Sequence, residues 1–111
     1  ALAHSLSYHL TLHHGVPHGI ACSFSLPMVM RAVAGCDAAC DASLRRIFGN
    51  DLLAGAARLE AFLKKLGISP DATAHGIAAR DWARLVDDAL AGDRGRNFIG
   101  RREALLAEMA A

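Results

Sequence analysis

Leu52, Ala56, Leu59, Leu63 and Leu66 step along the chain by four, three, four and three residues. That rhythm matches the turn of an α-helix and keeps one apolar stripe on one side; strand side chains alternate every second residue. Asn50 or Asp51 can cap the start, Lys64 and Lys65 suit the negative end of the helix dipole, and Gly67 stops it. Trp82, Leu85, Val86, Ala89 and Leu90 line one face of another helix, closed by Gly92, with Trp82 as a core residue. No stretch of period-two alternation rich in β-branched residues competes with these patterns. Alanine fills 23 of the 111 positions and aromatics only 5%, a composition that favours helix over strand. The sequence therefore predicts an all-α chain, one helical domain over residues 1–111, with helices near 17–34, 51–66 and 80–91.

Glycine and proline punctuate the rest. Residues 2–12 form an apolar helical stretch ending at Gly15. Pro17 opens the next helix, where its missing N–H costs little, and that helix runs to about Val33 with a kink at Pro27, between Leu26 and Val29. Gly35 ends it. A turn over Cys36–Asp41 leads to a short helix over Ala42–Phe48, broken by Gly49-Asn50. Ile68–Gly76 reads as a loop that leaves His75 exposed. Asp93–Gly100 is irregular, and Arg102–Met109 makes a last short helix.

Twelve basic and eleven acidic residues leave a net charge of +1, too little for a broad polyanion-binding surface, so nucleic acid is not an expected partner. No apolar run is long enough to span a bilayer. Cys22, Cys36 and Cys40 are an odd number at no zinc-finger spacing. They read as reduced cytoplasmic thiols, with Cys22 a small core residue.

Five of the six histidines fall between positions 4 and 18. In one continuous helix His4 and His18 would stand ~21 Å apart and could share no ligand. Gly15 and Pro17 break that helix and let the chain reverse, so that His4 can face His18 from an adjacent helix. Spacing alone leaves two readings open: exposed or hydrogen-bonded histidines, or a pair that binds metal. His13 and His14 read as a cleft rim or surface pair. Arg94, Arg96, Arg101 and Arg102 read as a solvated basic face.

The segment Ala3-His4-Ser5-Leu6-Ser7-Tyr8-His9-Leu10, followed by Gly15-Val16-Pro17-His18-Gly19-Ile20-Ala21 and by Leu26-Pro27 with Val29-Met30, resembles the iron-containing (group III) alcohol dehydrogenase family. There a histidine is followed, fourteen positions later, by the histidine of a Pro-His-Gly motif; His4 and His18 match both. The resemblance continues weakly to the C-terminus through Asp93-Arg94-Gly95-Arg96-Asn97, and its specific part is residues 3–30. The run from Leu6 to Phe24 is similar to the branch associated with phosphonate metabolism.

The resemblance implies the distal portion of the C-terminal helical domain of a dehydroquinate synthase-like fold. A nucleotide-binding α/β domain and the first helices would then precede residue 1, in keeping with a chain that starts as though inside a helix. By the same resemblance His4 and His18 are two of four protein ligands to Fe2+ or Zn2+, the others being an upstream aspartate and histidine. The implied reaction moves hydride between NAD or NADP and a small alcohol or aldehyde, with this chain inactive by itself. Many members carry a second histidine four residues after the first ligand. Tyr8 stands there, followed by His9, and these two become the candidate catalytic residues, although a phenol is a poorer base than an imidazole at neutral pH. The alternatives are a non-catalytic helical domain with incidental histidines, or a relative of the glycerol dehydrogenases or dehydroquinate synthases. A homo-oligomer is expected, through apolar surface left uncovered around Leu6, Leu10, Ile20 and Phe24.

Overall fold

The computed structural model describes residues 2–110, with side chains as far as Leu106. Seven α-helices follow one another among them: α1 Leu2–His14, α2 His18–Ser23, α3 Leu26–Val33, α4 Ala38–Phe48, α5 Leu52–Lys65, α6 Ala79–Ala91 and α7 Arg102–Ala110. A 3-10 turn, Ala72–His75, lies between α5 and α6, and no strand forms among the described residues. No helix among them is long and apolar enough to cross a membrane.

The main core gathers Leu2, Leu6 and Leu10 of α1 against Phe24, Met28, Ile77, Trp82, Val86 and Leu105. Trp82 is fully buried, and its indole N–H donates to the Leu105 carbonyl at 3.0 Å, which joins α6 to α7. A buried indole needs such a partner. A smaller cluster, Met30, Leu52 and Ala56 with Leu44 and Phe48 against it, joins α3 to α4 and α5. Arg31 of α3 and Glu60 of α5 form an ion pair across the same seam.

Several local expectations need correction. The helix expected from Pro17 to Val33 is two helices. The chain turns at Phe24-Ser25, and Pro27 lies in the first turn of α3 instead of kinking a helix interior. At that position proline's missing N–H has no intrahelical acceptor to lose. The turn placed over Cys36–Asp41 ends earlier, because the Asp37 carboxylate accepts from the Cys40 N–H at 2.8 Å and caps α4 at Ala38. Asp41 is then buried, accepting from the Gly35 N–H at 3.1 and 3.2 Å. His75 is half-buried, its ring 4.8 Å from that of Phe24 and its Nε2 2.8 Å from the Ser69 carbonyl. Leu6, Leu10 and Phe24, expected at an uncovered face, have no exposure at all, since Trp82 and its helix cover them; Ile20 is half-buried. Cys22 is half-buried outside the core cluster.

Candidate functional site

The site is made by the reversal between α1 and α2. Gly15 takes φ +66°, a left-handed conformation that strains other residues by about 1 kcal/mol or more. Val16 then folds inward, its side chain buried and its N–H donating to the Leu10 carbonyl at 3.2 Å. Pro17, with φ −53° and ψ 139°, starts α2, and its carbonyl accepts from the Ala21 N–H at 2.9 Å. The two helices pack side by side. Helical spacing sets the near wall: His4 and Tyr8, four residues apart, share one side of α1.

Three of the four candidate residues meet there. The His4 and His18 ring centroids lie 5.9 Å apart at an interplanar angle of 65°. Tyr8 stacks on His4 at 5.0 Å and lies 6.5 Å from His18. All three are exposed. His9, one residue further round α1, pairs with His13 at 5.8 Å instead, and this second ring pair does not involve the first. His14 is half-buried and His13 exposed.

The His4–His18 spacing fits a shared divalent ion. A metal about 2.0–2.1 Å from one nitrogen of each ring sets two imidazole centroids roughly 5–6 Å apart for angles from tetrahedral upward. Two donors do not complete a coordination shell. Among the described residues no group of three or more His, Cys, Asp or Glu side chains is placed to hold a metal.

Two further residues border the site. The Cys22 thiol lies 3.5 Å from Nε2 of His18, one helical turn away, so i,i+4 spacing could have found it. Arg94 comes from the 93–97 turn. Its Nη1 donates to the Tyr8 hydroxyl at 3.4 Å, and its guanidinium carbon lies 5.8 Å from the Tyr8 ring centroid. No local signal marks that meeting, which joins residues 86 apart in sequence. All four arginines of the run are exposed, as expected of a solvated face, and each has its own contact: Arg96 pairs with Asp93, Arg101 donates to the Arg31 carbonyl, and Arg102 grips Asp87 through two nitrogens. Beside the turn opens an apolar cavity of about 410 Å³, walled by Leu2, α3, α4 and α5, with Arg94 and Asn97 on its rim.

The profile of the Fe-containing alcohol dehydrogenase family, C-terminal, matches residues 1–105. No curated protein and no solved structure matches the chain. With the profile spanning nearly its whole length and an all-helical fold among the described residues to go with it, the chain belongs to the Fe-containing alcohol dehydrogenase family and matches its C-terminal domain.

Proposed function

We propose that His4 and His18 are two ligands of a divalent-metal centre, Fe2+ or Zn2+, in an NAD(P)-dependent dehydrogenase acting on a small alcohol or aldehyde. The carrying observation is the 5.9 Å approach of the two rings across the Gly15–Pro17 reversal. A metal held there supplies Lewis-acid polarisation of an alcohol or carbonyl oxygen, and the nicotinamide supplies or accepts hydride. This chain's own part is to hold two imidazoles at fixed separation on packed helices. Tyr8, stacked on His4, orients that ring and offers a hydroxyl toward the reacting oxygen. His9 serves at most a proton path on the far side of α1, where its partner is His13. The remaining ligands and the dinucleotide site are assigned to chain outside these 111 residues.

Calorimetric titration of the 111-residue chain with Zn2+, and with Fe2+ under anaerobic conditions, tests the ligand assignment. Weak binding that His4→Ala and His18→Ala each abolish is expected, because zinc sites ordinarily engage three or four protein ligands. Binding unaffected by both substitutions overturns the assignment. Submicromolar one-to-one binding by the chain would show that it completes the site alone. Turnover of aldehyde with NAD(P)H by the chain alone would overturn the division of labour.

Self-association belongs to the same reading. Among the described residues, the large apolar side chains more than half exposed are Leu12, Ile47, Leu53, Phe62 and Leu66; Ile47 lies on α4, Leu53 and Phe62 on α5, and Leu66 caps α5. This is the surface we assign to a homo-oligomer contact or to the rest of the domain.

A further inference from the structure

Two further histidines of α1 make a pair that the proposed metal centre does not use. His9 and His13 are four residues apart, so their side chains leave one side of the helix a turn apart. Their ring centroids lie 5.8 Å apart, against 5.9 Å for His4 and His18, and the two rings are within 22° of parallel. At about 100° per residue, His9 stands about 140° round α1 from His4, away from the first pair. His13 is exposed and His9 half-buried. The rings of His18 and His75 are engaged, one by the Cys22 thiol and the other by the Ser69 carbonyl. Among the described residues neither the His9 nor the His13 ring makes a hydrogen bond or an ion pair, and their nitrogens are free to bind.

Two free imidazoles at this separation meet the same distance condition for a shared ion as His4 and His18. Their place on the helix adds to it. His13 and His14 fill the last turn of α1, the negative end of the helix dipole, where a bound cation is favoured. The pair differs from the first in what holds it. His4 and His18 stand on two packed helices, whereas His9 and His13 share one helix face and lose rotamer freedom when they close on an ion. Zinc, which ordinarily engages three or four protein ligands, suits such a pair poorly. Cu2+ and Ni2+ take nitrogen donors in a tetragonal shell that water completes, and copper heads the affinity order for these donors. We propose that His9 and His13 form a second, peripheral two-point site for a nitrogen-seeking divalent ion of the Cu2+ and Ni2+ class. This site stands independently of the dehydrogenase reading above.

Ni2+ is the probe, because Cu2+ would oxidise the free thiols of Cys22, Cys36 and Cys40. It is added to the chain carrying both His4→Ala and His18→Ala, which removes the first pair, while NMR follows the ring signals of the remaining histidines. The His9 and His13 signals are expected to broaden together along one saturation curve, at Ni2+ concentrations that leave His75 sharp. Adding His9→Ala or His13→Ala should weaken that binding at least about tenfold, because the second contact of a chelate forms at high effective concentration. Circular dichroism checks that each variant keeps its helices. The same paired broadening is expected in the unsubstituted chain, whose fold is not in question. Broadening of only one of the two rings, a response that never saturates, or equal binding after either added substitution overturns the site. Ni2+ binding that vanishes together with His4 and His18 in a folded variant overturns it as well.

Discussion

Helices α1 and α5 are nearly equal in length, 13 and 14 residues, yet they hide very different shares of their apolar side chains. Among the leucines of α1, Leu2, Leu6 and Leu10 are buried and only Leu12 stands out; along α5 and its cap, Leu53, Phe62 and Leu66 are all more than half exposed. The difference lies in the neighbours. α1 is wedged among α2, α3 and α6, whereas α5 packs on α3 and α4. Apolar spacing fixes which face of a helix can be buried, and the partners around it decide how much of that face is. The histidine pair sits on the rim of the well-buried half, where rigid packing can hold two rings at one separation.

The contrast can be broken first at Trp82. Removing this fully buried ring and its bond to Leu105 in Trp82→Ala should lower unfolding stability by about 3–5 kcal/mol in a denaturant titration. A loss under about 1 kcal/mol would erase the distinction between the halves.

Glu60 sharpens it on the α5 side. The hydrogen-bonded Arg31 guanidinium, with Lys64 beside it, holds the Glu60 carboxyl below its ordinary value of 4.5, against the opposing effect of burial. A carboxyl lowered on folding stabilises the fold fully above its unfolded value, and that stabilisation fades as pH falls through the lower, folded value. Glu60→Gln should therefore cost about 1 kcal/mol near pH 7, and the gap to wild type should close as the solution is acidified through and below the ordinary value of 4.5. A gap that stays constant with pH would remove the ion pair from the account of the α3–α5 seam.

The smallest effect belongs to Phe62, 57% exposed on α5. Phe62→Ser should change stability by less than about 0.5 kcal/mol while reducing self-association in sedimentation experiments. A stability loss comparable to that of Trp82→Ala would mean that α5 is covered after all.

The helices themselves were largely legible. The 4-3-4-3 spacing and Asp51 located α5, and the Asp51 carboxylate does cap it by accepting from the Ala54 N–H at 3.1 Å. The turn at Phe24-Ser25 was not legible, because a proline in a helix interior and one in a first turn look alike in sequence. What separates them is tertiary: the Phe24 ring packs beside Trp82 and His75, at 5.7 and 4.8 Å. Burial of Leu6 and Leu10 was missed for the same reason, since their cover arrives with α6. At the site, the Gly15–Pro17 break correctly allowed His4 and His18 to face each other. The pairing of His9 with His13 follows from the same four-residue spacing along α1; that Arg94 reaches Tyr8 was not legible, because residues 86 apart meet only after packing.

The bond from Trp82 to Leu105 also orders events in time. A chain synthesised from its N-terminus contains α1, α2 and α6 before residue 105 is added, at about 5–20 residues per second. Until then the Trp82 indole N–H has no Leu105 carbonyl to donate to, and the core lacks the side chain that closes it beside α6. The core under the histidine rim is therefore completed by the last helix of the chain to be made.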